Sequence, residues 1–170
     1  MIIKEVDEIE TNDKFLKAGL NAEKQMAYYL QREFRDDKKV LVLNGIRLES
    51  DGDSAQIDHL IIHRYGMVIV ESKSVYGAVE INEHGEWHRV GSEIGMASPI
   101  EQAKRQATFL KKYLGKSKLK PAQGIIESLF HDATYEDVHV DVLVAISDTG
   151  CWRSRSVTAF NLTLMSEYIA

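Results

Sequence analysis

Two acids and a lysine occupy strand positions that should be apolar. Strand side chains alternate between faces. In MVIVESK (67–73), Met67, Ile69, Glu71 and Lys73 therefore share one face. In QIDHLIIH (56–63), Gln56, Asp58, Leu60 and Ile62 share one face. If a two-residue turn at Arg64-Tyr65 pairs His63 with Gly66, then Ile62 meets Met67, Leu60 meets Ile69, and Asp58 meets Glu71. Opposed residues have Cβ atoms ~4.5–5.5 Å apart, and like charges there repel. A divalent cation would explain the pair, because oxygen ligands suit magnesium, manganese and calcium. Two readings stay open beside it. Gly66 in the left-handed position of a three-residue turn would shift the register and throw Glu71 to the other face. The two acids are equally readable as solvated groups on an open sheet face.

Three further residues bear on this chemistry. Lys73, two positions past Glu71, would neutralise the acids, either as a simple ion-pair partner or as a contact to a phosphate or a water. Glu23 falls within about 60° of Ala27, Leu30 and Phe34 on a helical wheel, so it points toward the core side. An acid in a first helical turn is also favoured by the helix dipole alone. Gln102 shares a helix face with Gln106, Phe109 and Tyr113, where an amide can hold a phosphate or simply meet solvent.

The elements that must position these groups can be read in order. Asn21 reads as an N-cap, followed by a helix over AEKQMAYYLQREF with stripes at Ala22, Met26, Leu30 and at Ala27, Leu30, Phe34. KVLVLNGIRL reads as a strand with a turn or bulge at Asn44-Gly45, and ESDGDS as a polar turn. The two strands around Asp58 and Glu71 follow. GAVEI and EWHRV form a further hairpin around His84-Gly85, with Trp87 as its core anchor. Ser98-Pro99-Ile100-Glu101 is a helix start with a capping box, and the helix runs to about Leu114. A basic loop (115–124), a short helix (125–130), an apolar strand suited to a sheet interior (138–147) and a weaker strand (157–164) complete the chain. The order α, β-run, α, β favours α/β or α+β architecture, a mixed sheet flanked by helices.

Composition narrows the classes. With 170 residues, 44% hydrophobic and 28% charged, the chain is ordinary globular material for a single domain. No apolar run approaches the ~18 residues of a membrane span. The opening MIIKEVDEIE is acidic where a signal peptide would be basic. Cys151 is the only cysteine, which excludes an internal disulfide and a cysteine zinc cluster and fits a reducing, cytoplasmic setting. The closing LMSEYIA leaves room for a further domain beyond it. The net charge is −5, yet residues 102–126 hold no acid and seven bases: Lys104, Arg105, Lys111, Lys112, Lys116, Lys118 and Lys120. That stretch reads as a solvated helix face or as an edge that contacts phosphates. The six histidines show no HExxH spacing, and His59 and His63 fall opposite Asp58, as structural residues. No phosphate-cradling glycine loop and no GxSxG are present.

Taken in order, GLNAEKQMAYYL, QIDHLII, GMVIVESKSVYG, a tryptophan and SPIEQAKRQATFL resemble the nuclease-related domain (NERD) family of the PD-(D/E)xK nuclease superfamily, over about 19–147. Ile57-Asp58 and Glu71-Ser72-Lys73 meet its central motif, with Ile57 replacing the proline. The resemblance implies a restriction-endonuclease-like αβββαβ core. It implies that Glu23, Asp58 and Glu71 converge on magnesium, with manganese as a substitute, and so favours the register that puts Asp58 and Glu71 together. Lys73 and Gln102 complete the implied catalytic set. The implied activity is metal-dependent hydrolysis of nucleic acid, DNA before RNA, with the basic stretch tracking the backbone. A catalytically silent binding or assembly module on the same fold is the alternative. No membrane partner is expected, and the oligomeric state is open, a homodimer included.

Overall fold

The computed structural model describes residues 1–82, 85–92, 94–116 and 138–154. Lys118, Lys120, His84, the helix expected at 125–130 and the strand expected at 157–164 lie outside these residues. The elements run β1 (Ile2–Lys4), α1 (Lys14–Phe34), β2 (Val40–Ser50), β3 (Asp53–His63), β4 (Gly66–Lys73), β5 (Gly77–Ile81), β6 (Trp87–Arg89), β7 (Gly95–Met96), α2 (Pro99–Lys116), β8 (Val140–Ile146) and β9 (Gly150–Ser154). A five-stranded mixed sheet has the order β1-β2-β3-β4-β8, and a smaller sheet the order β7-β6-β5-β9. The series α1, β2, β3, β4, α2, β8 is the expected αβββαβ core. The β5–β7 hairpin region is inserted before α2 and, with β9, builds the second sheet.

The main sheet is covered on both faces. Met26, Leu30 and Phe34 of α1 pack on Val40, Val42, Ile61, Val68 and Val70. Ala103, Ala107 and Leu110 of α2 pack on Leu41, Leu60, Ile62, Met67 and Ile69. The apolar stripes read from the sequence are thus the buried faces of both helices. Trp87 is buried with Val75, Val79 and Ile81 under the second sheet, as expected. At the start of α2, the Ser98 hydroxyl accepts the Glu101 N–H at 3.3 Å.

One expectation about an element needs correction. Asn21 is not a cap: it lies exposed inside α1, whose N-cap is Asp13, accepting the N–H groups of Phe15 and Leu16 at 2.8 and 2.9 Å. The first turn buries nothing, and Phe15 is 91% exposed, so apolar periodicity begins a turn later than the helix does. The apolar strand at 138–147 is β8, which pairs in parallel with β4 and is the last strand of the sheet among the described residues. Its near-continuous apolar character comes from cover on both faces, since Val142 packs on the α2 side and Leu143 and Ala145 on the α1 side.

The hairpin register is the one with His63 opposite Gly66, Ile62 opposite Met67 and Leu60 opposite Ile69. Gly66 therefore ends a two-residue turn, and its lack of a side chain has another cause. A Cβ there would stand 2.6 Å from the His139 carbonyl oxygen, whose neighbour strand pairs alongside. Pairing stops at His59 opposite Val70, one step before Asp58 would meet Glu71. Alternation also slips there. The α2-side core takes Leu41 and Leu43 from β2 before Gly45 but Ile46 and Leu48 after it. From β3 it takes Leu60 and Ile62, then Ile57 in place of Gln56. Both strands slip together, since Asn44 faces His59 and Ile46 faces Ile57 in one unbroken register, with Gly45 and Asp58 left unpaired between them. Gly45 sits at φ +58°, the left-handed region that lets β2 turn over.

The slip predicts a graded response at Gly45. A Cβ would meet nothing closer than 3.7 Å, so the cost is conformational rather than steric. Gly45→Ala should lower stability by ~1–2 kcal/mol in urea unfolding, and Gly45→Asn by less, because asparagine tolerates left-handed backbone. Equal losses for both would show that space, and not φ, selects glycine.

Candidate functional site

Glu71 is the centre of the site. It sits near the end of β4 with 2% of its side chain exposed, and each of its oxygens has one donor. Lys73 Nζ lies 2.9 Å from Oε1, and Gln106 Nε2 donates to Oε2 at 2.8 Å. Both donors are tied in turn. Lys73 Nζ donates to Gln102 Oε1 at 3.1 Å, and Gln106 Nε2 also donates to the Gln56 carbonyl at 2.8 Å. Two glutamines one turn apart on α2 therefore hold an acid and a base that are two residues apart on β4.

Asp58 stands across the hairpin. Its Oδ2 accepts the Ser72 N–H at 2.8 Å, a bond that takes the place of the backbone pairing lost at this point. Burial pushes the Asp58 carboxyl up to about 7, with repulsion from Glu71 and Glu23 adding to it, and the Ser72 N–H and Lys73 opposing. Glu23, half-buried on α1, is also raised, first by burial and then by the Glu71 charge, against the pull of Lys73. Glu23, Asp58, Glu71 and Lys73 thus act on one another electrostatically, three acids against one base. Among the described residues, no group of three or more His, Cys, Asp or Glu side chains that could hold a metal ion is present.

Gln106 was not singled out in the sequence, where it appeared only as a face-mate of Gln102. Its signal was a polar residue beside the apolar stripe of Ala103, Ala107 and Leu110. It is buried, and its Oε1 has no partner, since Nε2 must turn toward the two acceptors. A cavity of about 400 Å³ opens beside these glutamines, lined by Ser54, Gln56, Gln102, Arg105, Gln106 and Phe109. His59 is structural, as expected: it is fully buried, bonded to Asn44 and Ser72, and burial lowers its pKa to about 4.

The basic residues of α2 are on its outward face. Lys104, Arg105, Lys111, Lys112 and Lys116 are all exposed. Three of them meet acids: Lys104 lies 2.7 Å from Glu101, Lys112 lies 3.9 Å from Asp51, and Lys116 also bonds Asp51. Five bases against these two acids leave the face a net positive charge.

The Asp58 shift has a testable sign. Its folded pKa lies above its unfolded value, so the folded protein holds a proton that the unfolded chain releases. From this group alone, metal-free protein should therefore lose stability as pH rises from about 4 to about 7, by at most ~1.4 kcal/mol per pH unit. Glu23 acts in the same direction, whereas His59 and His63, whose pKa values burial lowers, act in the opposite one. The Asp58 contribution is therefore read as the difference between wild type and Asp58→Asn in urea unfolding in EDTA across pH 4–8, and wild type should lose stability relative to the variant as pH rises. A difference that does not change with pH, or changes with the opposite sign, would contradict the assignment.

No curated protein and no solved structure matches the chain. The family model for the nuclease-related domain matches residues 18–147, most of the chain and the whole span from Glu23 to β8. The chain belongs to the nuclease-related domain family.

Proposed function

We propose that this protein is a magnesium-dependent nuclease that hydrolyses DNA phosphodiesters. The observation that carries the reading is the near-complete burial of Glu71, paired with Lys73, held by Gln102 and Gln106 and flanked by the raised carboxyls of Asp58 and Glu23. A buried acid cluster with one cation is costly unless a further positive charge joins it. The donor set is all carboxylate, which fits magnesium, with manganese as a substitute. Glu23, Asp58 and Glu71 would hold the ion, each carboxylate oxygen having a second lone pair beyond its present bond. When bound, magnesium would supply Lewis-acid polarisation of the phosphate and a lowered pKa for an attacking water.

The chain's own residues do the rest. Lys73, a third exposed, presents its ammonium where negative charge grows on the pentacovalent phosphate. Gln102 fixes that ammonium, and Gln106 fixes Glu71. Water adds to phosphorus, one P–O ester bond breaks, and the proton passes to the departing sugar oxygen. The cavity beside Gln102 and Gln106 gives the substrate room, with Arg105 at its edge. The basic face of α2 would follow the backbone without reading bases. One observation favours a second reading, a catalytically silent nucleic-acid-binding module: the absence of a preassembled ligand group among the described residues.

Two experiments separate these readings. Cleavage of plasmid DNA with magnesium, abolished by EDTA, is the expected result, with RNA cut more slowly. Lys73→Met should still bind metal in calorimetry but lose turnover by ~10²–10³-fold, the scale of one charge-stabilising group. Full cleavage by the variant would remove the role given to Lys73, and no cleavage by wild type with any common divalent metal would leave the silent module. Reversing Lys111 and Lys112 to Glu should weaken DNA binding and flatten its salt dependence, by ~0.9 of log–log slope per lost phosphate contact on duplex. An unchanged slope would mark this face as merely solvated.

A further inference from the structure

Asp58 lies where neither neighbouring strand holds it by backbone pairing. The β2–β3 ladder skips the Gly45–Asp58 position, and the β3–β4 ladder ends at His59 opposite Val70. Both strands also turn over at this point, so alternation does not decide where the Asp58 side chain goes. The position needs another constraint.

A chain of hydrogen bonds across four strands supplies one. Asn44 Nδ2 donates to the Lys4 carbonyl at 3.0 Å, which can only accept. Asn44 Oδ1 is therefore an acceptor, and it lies 2.8 Å from His59 Nδ1, so Nδ1 carries the ring proton. Asn44 and His59 are both 0% exposed, and the ring's bonds are to an amide and a hydroxyl, with no carboxylate to favour a charged imidazole. In the neutral ring Nε2 is an acceptor, and the Ser72 hydroxyl must donate to it at 2.9 Å. The Ser72 N–H then donates to Asp58 Oδ2 at 2.8 Å. Each proton has one place, and the series runs from β1 through β2 and β3 to β4 and back to the residue beside His59.

We propose that His59 is a positioning residue for Asp58. Held by Asn44 on one side and Ser72 on the other, it locks the unpaired stretch of β3 and the end of β4. Asp58 is thereby directed to the side of Glu71, one oxygen fixed by Ser72 and the other left to the site. This rests on the reading of Asp58 as a metal-site carboxylate. It adds a role on the opposite face of the sheet, for a residue that touches neither metal nor substrate.

Nitrogen-15 spectra of the metal-free protein at neutral pH read the chain directly. A proton on His59 Nδ1 and a bare Nε2 are expected; a proton on Nε2 overturns the proposal. His59→Leu and Ser72→Ala should each lower manganese affinity in calorimetry, or turnover at saturating magnesium, by ~10–100-fold, the scale of outer-shell changes. KM for DNA should not move. The double variant should be no worse than the worse single one, because both break the same link. Val68→Ala is the control, since it is fully buried on the same face of β4 but outside the hydrogen-bonded chain. It should lower stability and move neither readout. Unchanged affinity and turnover in His59→Leu and Ser72→Ala, or equal losses in Val68→Ala, overturn the proposal. A wild type that binds manganese but cuts nothing overturns hydrolysis alone, since manganese affinity and the tautomer still decide the role of His59. A wild type that binds no manganese removes the metal reading and its positioning residue together.

Discussion

The burial of Glu71 is the constraint on which the site's architecture turns. An ionised carboxylate with 2% exposure is unfavourable by several kcal/mol unless it is paired and hydrogen-bonded. Lys73 supplies the charge and Gln106 the second donor, and both requirements reach outward. Lys73 needs an acceptor, which places Gln102 in the first turns of α2. Gln106 needs to sit one turn further along the same helix. Two contacts one turn apart fix both the position and the rotation of α2 over the sheet. The apolar stripe of Ala103, Ala107 and Leu110 then meets Leu60, Ile62 and Ile69 in a defined register. Pairing of this kind does little for net stability, but breaking it leaves a buried charge behind, so it specifies geometry strongly.

Much of this arrangement was legible in the sequence because it is written in local patterns. The apolar stripes of both helices, the cap at Ser98 and the two-residue turn after His63 each depend on neighbours within a few residues. The sequence left two turn lengths open after His63. The close approach of His139 to Gly66 shows what occupies the space beside that turn, which only the tertiary structure could reveal. What stayed hidden depends on partners far along the chain. The start of α1 was missed because Lys14–Ala18 bury nothing, leaving an ordinary aspartate cap as the sole cue. The second sheet was missed because β5 and β6 need β9, about seventy residues away, to complete it.

The slip at Gly45 and Asp58 is the instructive failure. Strict alternation groups Gln56 with Asp58, Leu60 and Ile62. The protein instead turns Ile57 inward, and β2 makes the matching change, so the register survives while the faces exchange. Asn44-Gly45 carried a visible signal of irregularity, but nothing in β3 announced that its partner would follow. Polar residues cluster around the slip because a point without ladder pairing has backbone groups to satisfy. Asn44, His59 and Ser72 meet that need on one face of the sheet, and the Asp58 carboxylate meets it on the Ser72 N–H.

The two faces of the sheet therefore have different duties toward one site. The α1 face contributes an apolar core and, where the ladder fails, a buried network of neutral polar groups. The α2 face contributes the charged groups and the two amides that hold them. Glu23 comes from the helix on the first face, yet its pKa responds to Glu71 and Lys73. The β3–β4 ladder has ended by this point, although β2–β3 and β4–β8 pairing continues, so the charges of the two layers meet where one ladder of the sheet is open. The irregularity at Asp58 is then not a defect in an otherwise regular sheet. By ending the ladder one residue before Glu71, it replaces a backbone pairing at Asp58 with a bond from the Ser72 N–H to the Asp58 carboxylate, which ties that acid to the strand that carries Glu71.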